Sequence, residues 1–222
     1  VPVITAIEVQ KRNKERVNIY LDGEYAFSLN LMDGAKLRKG QALSDAEIAA
    51  MQSDDLVVRA VDSAARFLGH RPRSVAEVRK NLKGKDFDEG VIDKALERLT
   101  ALGYLDDAAF ARYWVESRTQ FKPLGTAALR YELRQKGVGE AVLRDALDAV
   151  DDESGAYAAA GPLLKRLRGV DRRTARQKIS TTLARRGFAY DDVRNALDRL
   201  FDEVEEQDAD FFTGGDGDTD EP

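Results

Sequence analysis

Val17, Ile19 and Leu21 alternate with Asn18 and Tyr20, and after Asp22-Gly23 the alternation resumes at Tyr25, Phe27 and Leu29. Apolar positions at a period of two predict strands that bury one face. Asp-Gly between two such runs predicts a tight hairpin, because both turn positions tolerate positive φ. Residues 3–10, rich in β-branched side chains, supply a further strand, joined by a looser turn near Asn13-Lys14. The expected element is a three-stranded antiparallel meander, too slight to stand well alone and therefore packed on a helix. Ser44 with Glu47 three residues on is a capping box, and predicts a short helix to about Met51.

Beyond this head the pattern turns helical and repeats. Leu82, Phe87, Ile92, Ala95 and Leu96 fall on Leu133, Val138, Leu143, Ala146 and Leu147 at an offset of 51. Those fall on Leu183, Phe188, Val193, Ala196 and Leu197 at an offset of 50. Val78, Leu129 and Ile179 join the block upstream at the same offsets. Each block reads as helix, break, helix. Gly137 and Gly187 stand where a left-handed residue ends the first helix, and Asp86 takes that place in the first copy. The second helix of each block spaces its apolar residues at i, i+3, i+4 and i+7: Ile92 to Leu99, Leu143 to Val150, and Val193 to Leu200.

One more helix precedes each block, over residues 54–69, 106–120 and 153–168, the last broken or kinked at Gly161-Pro162. The body is thus read as three tandem three-helix units, over 54–105, 106–150 and 151–201. A unit of this size buries little core, so neighbours lean on one another, and an elongated, curved array is expected. The fold class is mainly α, preceded by the small sheet and short helix of residues 1–53.

Composition narrows the chemistry. The 222 residues include no Cys and a single His, His70. That excludes a disulfide scaffold, a Cys-ligated zinc site, thiol catalysis and any site needing two His. There is no phosphate-binding loop: Gly84-Lys85 is followed by Asp86. There is no dinucleotide fingerprint either. Asp216, Asp218 and Asp220 imitate the start of a calcium loop but lack its turn Gly. No cofactor or metal is expected. No apolar run approaches a membrane span and no signal peptide is legible, so a cytoplasmic protein without a membrane partner is expected.

The net charge of −5 is unevenly spread. The first 201 residues sum to +5, concentrated in residues 151–201 with 11 basic and 7 acidic side chains, whereas residues 202–222 hold 10 acidic and no basic ones. The latter stretch reads as a disordered acidic tail, with Phe211 and Phe212 the apolar pair near its end.

The first unit contains Arg71, Arg73, Ser74 and Glu77, and closes with Gly103-Tyr104-Leu105-Asp106-Asp107 and Phe110-Ala111. The second contains Lys122-Pro123-x-Gly125, then Leu129, Glu132-Leu133 and Lys136-Gly137-Val138. The third contains Leu183, Arg185-Arg186-Gly187-Phe188, Asp191, Val193 and Arg194. This series resembles the RecX family, bacterial regulators of the RecA recombinase, over residues 54 to about 201. The sheet resembles an extension carried by longer members, and the acidic tail departs from the family pattern. The resemblance implies a non-enzymatic, monomeric protein whose partner is the RecA filament on single-stranded DNA. It would lie in the filament groove, lower ATP hydrolysis and strand exchange, and contact DNA indirectly or weakly.

A groove binder needs positive charge on one side, and aligning the repeats selects candidates. Lys85, Lys136 and Arg186 share one position, Arg79 and Arg130 another, Lys83 and Arg134 a third. Ser180 and Ala184 replace the last two pairs in the third unit, which instead clusters Arg172, Arg173, Arg176, Lys178, Arg185 and Arg186. With Arg71, Arg73 and Lys122 these form the expected partner- or DNA-binding set. A second reading of Lys85, Lys136 and Arg186 is complementation of helix C-terminal dipoles. Trp114 is expected in the core, Tyr104 as a seal between two units, and His70 at an exposed helix end. The competing functions are a helix-turn-helix regulator of duplex DNA and an inert helical scaffold.

Overall fold

The computed structural model describes residues 1–213; residues 214–222, which hold Asp216, Asp218 and Asp220, lie outside the described residues. The chain divides into two compact units, Val1–Asp106 and Asp107–Pro222.

In the first unit β1 (Ile4–Val9), β2 (Arg16–Leu21) and β3 (Glu24–Asn30) form an antiparallel sheet in the order β1-β2-β3. Register pairs Val17 with Leu29, and Ile19 with Ile7 and Phe27, so the buried side chains share one face. The β2–β3 turn is the expected two-residue hairpin, with Asp22 at φ 51 and Gly23 at φ 92. A one-turn helix that periodicity did not predict, α1 (Leu31–Gly34), follows, capped by the Asn30 side chain on Asp33 N. Ile4, Val17, Ile19, Phe27, Leu29 and Leu43 form the sheet's core, with Ile48 and Met51 against it.

Helix α2 (Asp45–Leu68) corrects the expected boundary at 53/54. Its N-terminus is the predicted Ser44–Glu47 capping box, but it continues for 24 residues instead of ending near Met51. The reason is its apolar face, which serves two cores in turn. Ile48 and Met51 cover the sheet. Val57, Ala60 and Ala64 then join Val78, Leu82, Ile92, Ala95, Leu96 and Leu99 from α3 (Val75–Lys83) and α4 (Glu89–Ala101). Buried Asp55, tied to Arg16 of β2 by bonds of 3.0 and 2.8 Å, fixes the helix to the sheet.

The second unit holds two more three-helix sets. These are α5 (Asp107–Phe121), α6 (Thr126–Gln135) and α7 (Glu140–Leu147), then α8 (Asp152–Lys165), α9 (Arg172–Arg185) and α10 (Tyr190–Gln207). The apolar repeat positions are the buried ones: Leu129, Leu133, Val138 and Leu143 in one core, Ile179, Leu183, Phe188 and Val193 in the other. Asp86, Gly137 and Gly187 carry φ of 61, 76 and 83 at the three breaks. Pro162 does not break its helix: α8 runs through it.

Inside this unit the two sets meet backbone to backbone. Gly125 N–H donates to Arg186 O at 3.0 Å. A Cβ on Gly125 would collide with the Gly187 backbone, so the Lys-Pro-x-Gly segment requires glycine for close approach. The Asp152 carboxylate accepts from Thr126 N at 2.9 and 3.1 Å, capping α6 from the neighbouring set. Burial is the main cause holding Asp152 above the usual aspartate value, with the charges of Asp192 and Asp151 adding to it.

Residues 202–213 correct the expected disordered tail. Residues 202–207 are the last turns of α10. The chain then folds back as a strap: Gly169 N donates to Phe211 O at 2.9 Å, and Asp171 and Thr213 form a parallel bridge. Phe211 is 8 % exposed and stacks edge-on against Phe212, which packs on Phe201. The acidic residues here are ion-pair partners: Asp202 and Glu205 for Arg172, Asp208 for Arg168, and Glu203 for Arg199. Apolar burial and paired charge supply what a count of acidic residues does not reveal.

Candidate protein and nucleic-acid interface

The predicted cations divide by what they touch. In the first repeat, Arg79 and Lys83 on α3 converge on Glu89 at the start of α4, at 3.0 and 2.7 Å, and Arg79 also reaches Asp93 at 2.7 Å. In the second, Arg130 and Arg134 on α6 converge on Glu140 at the start of α7, at 2.6 and 2.8 Å. Glu89 and Glu140 stand at equivalent positions, each at a helix N-terminus where a carboxylate is favoured. Lys83 and Arg134 hydrogen bonds are the main cause holding the two carboxyls below the usual glutamate value. These four cations close the helix–helix junction within their own repeat. The repeat alignment contained the signal for this, since the glutamates recur at the same offset as the cations.

At the position shared by Lys85, Lys136 and Arg186, the two lysines have an internal use. Lys85 Nζ donates to Ser63 Oγ at 2.7 Å, and Lys136 Nζ lies 5.0 Å from the Trp114 ring centroid. Ser63 and Trp114 are themselves one repeat apart, so both lysines fold back onto the first helix of their set. Trp114 packs against the second core and donates Nε1–H to Glu132 at 2.7 Å, as Arg118 Nε does at 2.8 Å. It is a packing residue, as expected. Tyr104 is 67 % exposed. His70 is exposed.

Arg71 is bonded to Glu77 at 2.7 Å and to Pro72 O at 2.8 Å. Arg73 lies over the Phe67 ring at 4.0 Å. Both support the entry to α3. In the third repeat Arg172 pairs with Asp202 at 3.0 Å and Arg176 with Asp198 at 2.5 Å, both along α10, and both lean on the Phe201 ring. What remains is a set with no carboxylate partner among the described residues. It comprises exposed Arg173 and Lys178 on α9, and exposed Arg185 and half-buried Arg186 at its C-terminal end; exposed Lys122, before α6, forms no ion pair but its charge acts on Glu132.

This difference between the repeats is local in origin. Where the first two place Glu89 and Glu140, the third places Tyr190, 77 % exposed, and opposite it Ser180 and Ala184 replace the cations. The neutral substitution removes both sides of the ion-pair lock, so the third repeat's remaining cations sit outside any such lock. They lie near enough in sequence, on one helix and its end, to meet an extended anionic partner.

The four described parts of the chain each match a family model. Residues 2–44 match the regulatory protein RecX N-terminal domain. Residues 60–99, 106–147 and 152–197 match the first, second and third RecX three-helix domains. The chain belongs to the RecX family. It is 34 % identical over 204 residues to the regulatory protein RecX of Bacillus subtilis, covering 90 % of this chain and 77 % of the relative. It is 36 % identical over 211 residues to that of Lactobacillus delbrueckii, covering 92 % and 77 %. A crystal structure of regulatory protein RecX superposes with a TM-score of 0.73 at 30 % identity, covering 91 % of this chain and all of that one. The RecX structure from Lactobacillus salivarius shares the fold, with a TM-score of 0.61 over 67 % of this chain and 98 % of that one, at 23 % identity. The N-terminal sheet is thus a recognised RecX domain in its own right. Among the described residues no helix is long and apolar enough to cross a membrane.

Proposed function

We propose that this protein is a non-enzymatic regulator of the RecA recombinase. It binds in the groove of the RecA filament on single-stranded DNA and lowers the filament's ATP hydrolysis and strand exchange. The observation that carries this reading is the set of cations on the third repeat that have no carboxylate partner among the described residues, Arg173, Lys178, Arg185 and Arg186, on a RecX-family fold. A cation already bound to a carboxylate must lose that partner before meeting another, whereas these need lose only water. Arginine suits bidentate contact with carboxylate or phosphate, the two anions a nucleoprotein filament presents.

The test is ATP hydrolysis by RecA on single-stranded DNA, titrated with this protein at two salt concentrations. Inhibition is expected below one protein per recombinase, weakening with salt. The folded triple variant R173E/K178E/R185E is expected to inhibit less; inhibition equal to wild type would refute the assignment. Absence of inhibition together with retained binding to duplex DNA would favour the helix-turn-helix reading instead.

A further inference from the structure

The N-terminal unit holds a cleft that the repeat-based reading does not use. It lies between the sheet and α2 and consists of two adjoining hollows that share Arg16 and Arg59, of about 440 and 630 Å³. The smaller is cationic: Arg16, Arg59, Arg66 and Lys85 line it, against the single carboxylate Asp62. Arg59 and Arg66, seven residues apart on one face of α2, are exposed and pair with no carboxylate among the described residues. Asn13 at its mouth belongs to the β1–β2 loop, where exposed Lys11, Arg12 and Lys14 outnumber Glu15. The Arg16–Asp55 pair forms its floor and holds the guanidinium in place.

The larger hollow has different chemistry. Tyr25, 58 % exposed, stands at its side. Its hydroxyl is held by Ser28 Oγ at 3.0 Å and its ring edge by Tyr20, so the ring is fixed before any ligand arrives. Gln10 donates to Asn18 and Ser28 and keeps its carbonyl oxygen as an acceptor. Gln52 lines the opposite wall from α2.

A cationic hollow continuous with a hollow that offers a fixed aromatic ring and amide groups suits a chain alternating phosphate and base. We infer that this cleft binds a single-stranded polynucleotide, its phosphates against Arg59 and Arg66 and a base stacked on Tyr25. Base stacking on aromatic rings beside a basic track is the general means of holding single strands without sequence preference. An acidic peptide would use the cationic hollow and leave Tyr25 idle. The cleft would give the protein a hold on the strand independent of the third repeat.

The test measures fluorescence anisotropy of labelled oligothymidylate and oligouridylate with the full chain, without recombinase, over a salt series. The tighter probe identifies the sugar. Arg59→Ala with Arg66→Ala is expected to flatten the slope of log K against log salt by about 1.4, the value for two phosphate contacts on a single strand. Tyr25→Ala is expected to weaken binding by about 5-fold to 150-fold and Tyr25→Phe to leave it near wild type. Unchanged slope and affinity in these variants, with binding lost only in R173E/K178E, would place the strand on the third repeat and overturn the proposal. Equal displacement of the probes by polyglutamate, with Tyr25→Ala indifferent, would identify an acidic-peptide site and overturn it as well. Circular dichroism confirms folding of each variant, all three positions being exposed.

Discussion

Phe211 is the most informative single position in the C-terminal segment, because two mechanisms give different answers for its removal. It is 8 % exposed, packs on Phe212 and the third repeat's core, and has Arg168 over its ring at 5.7 Å. Treated as a core residue, Phe211→Ala would cost about 3–5 kcal/mol through lost transfer energy and a residual cavity. Phe211, however, belongs to a strap of residues 208–213 held by one backbone bond from Gly169, a bridge from Asp171 to Thr213, and the Arg168–Asp208 pair. The strap is short, lies at the C-terminal end of the described chain and is held by few bonds, so it can undock while the third repeat stays folded. Losing Phe211 releases it, and the cost is its net docking energy, not a cavity.

The expected loss is about 1–2 kcal/mol, measured by urea unfolding with the slope shared among variants. In a chain of this size that corresponds to a Tm lower by about 2–8 °C. Truncation after Gln207 should cost the same within about 0.5 kcal/mol, since both lose the whole strap. If Phe211→Ala cost far more than the truncation, or the truncation far more than Phe211→Ala, the strap would not dock as a unit around this residue and the reasoning would fail. A wild-type midpoint in both would restore the picture of an undocked acidic tail.

Gly125→Ala should cost about 2–3 kcal/mol, because the new methyl meets the Gly187 backbone rather than a side chain that can rotate away. Gly90→Ala, on an exposed helical turn with open space around it, should instead stabilise by about 0.5–1 kcal/mol, and equal midpoints for the two variants would sink the close-approach argument. Asp55→Ala strands Arg16, only 20 % exposed, and should cost about 3 kcal/mol by thermal or urea unfolding; a loss below about 0.5 kcal/mol would show that the pair does not anchor α2 to the sheet. Burial pushes the Glu132 carboxyl up, but Arg118 and the Trp114 N–H outweigh it and hold it below its usual 4.5. Stability from a depressed carboxylate is complete above the unfolded value and lost as pH falls through the folded one. The Tm gap between wild type and Glu132→Gln should therefore be widest near neutrality and close below about pH 4.5; a gap independent of pH would contradict this.

The features legible in the sequence are those written in local chemistry. Asp22-Gly23 specifies a hairpin through the φ its residues tolerate, and Gly137, Gly187 and Asp86 mark helix ends for the same reason. The apolar repeat at 51 and 50 residues gives the buried positions of all three cores, because each core is built from side chains close in sequence. What escapes is set by distant partners. Nothing at residues 51–54 signals that α2 continues, since its continuation depends on a second core supplied by α3 and α4. The acidity of residues 202–213 resembles a solvated tail until Arg168, Arg172 and Arg199 are seen opposite it. Among the candidate cations, counting charge selects Arg79, Lys83, Arg130 and Arg134 as readily as Arg173 and Lys178. Only partner geometry separates those already neutralised from those still free to meet an anion.

That separation follows from one substitution within the repeat. A glutamate at the start of the last helix draws two cations of the preceding helix onto itself, and the gain from the helix dipole and from two charge-assisted bonds keeps it there. In the third copy Tyr190 offers no charge, so a cation at the facing positions would have no such anchor, and Ser180 and Ala184 stand there instead. Basic residues retained elsewhere on α9 then fall into two kinds. Arg172 and Arg176 face α10 and find Asp202, Glu205 and Asp198. Arg173 and Lys178 are exposed and find none among the described residues. A helix some of whose cations are closed by ion pairs while others stay uncompensated is stabilised by the first and leaves the second available. The same division recurs on α2, where Asp55 is committed to Arg16 while Arg59 and Arg66 are not. In both units, then, the cations that could act on a partner are those the local carboxylates leave over, and a change in either the carboxylate or its geometry would redistribute them.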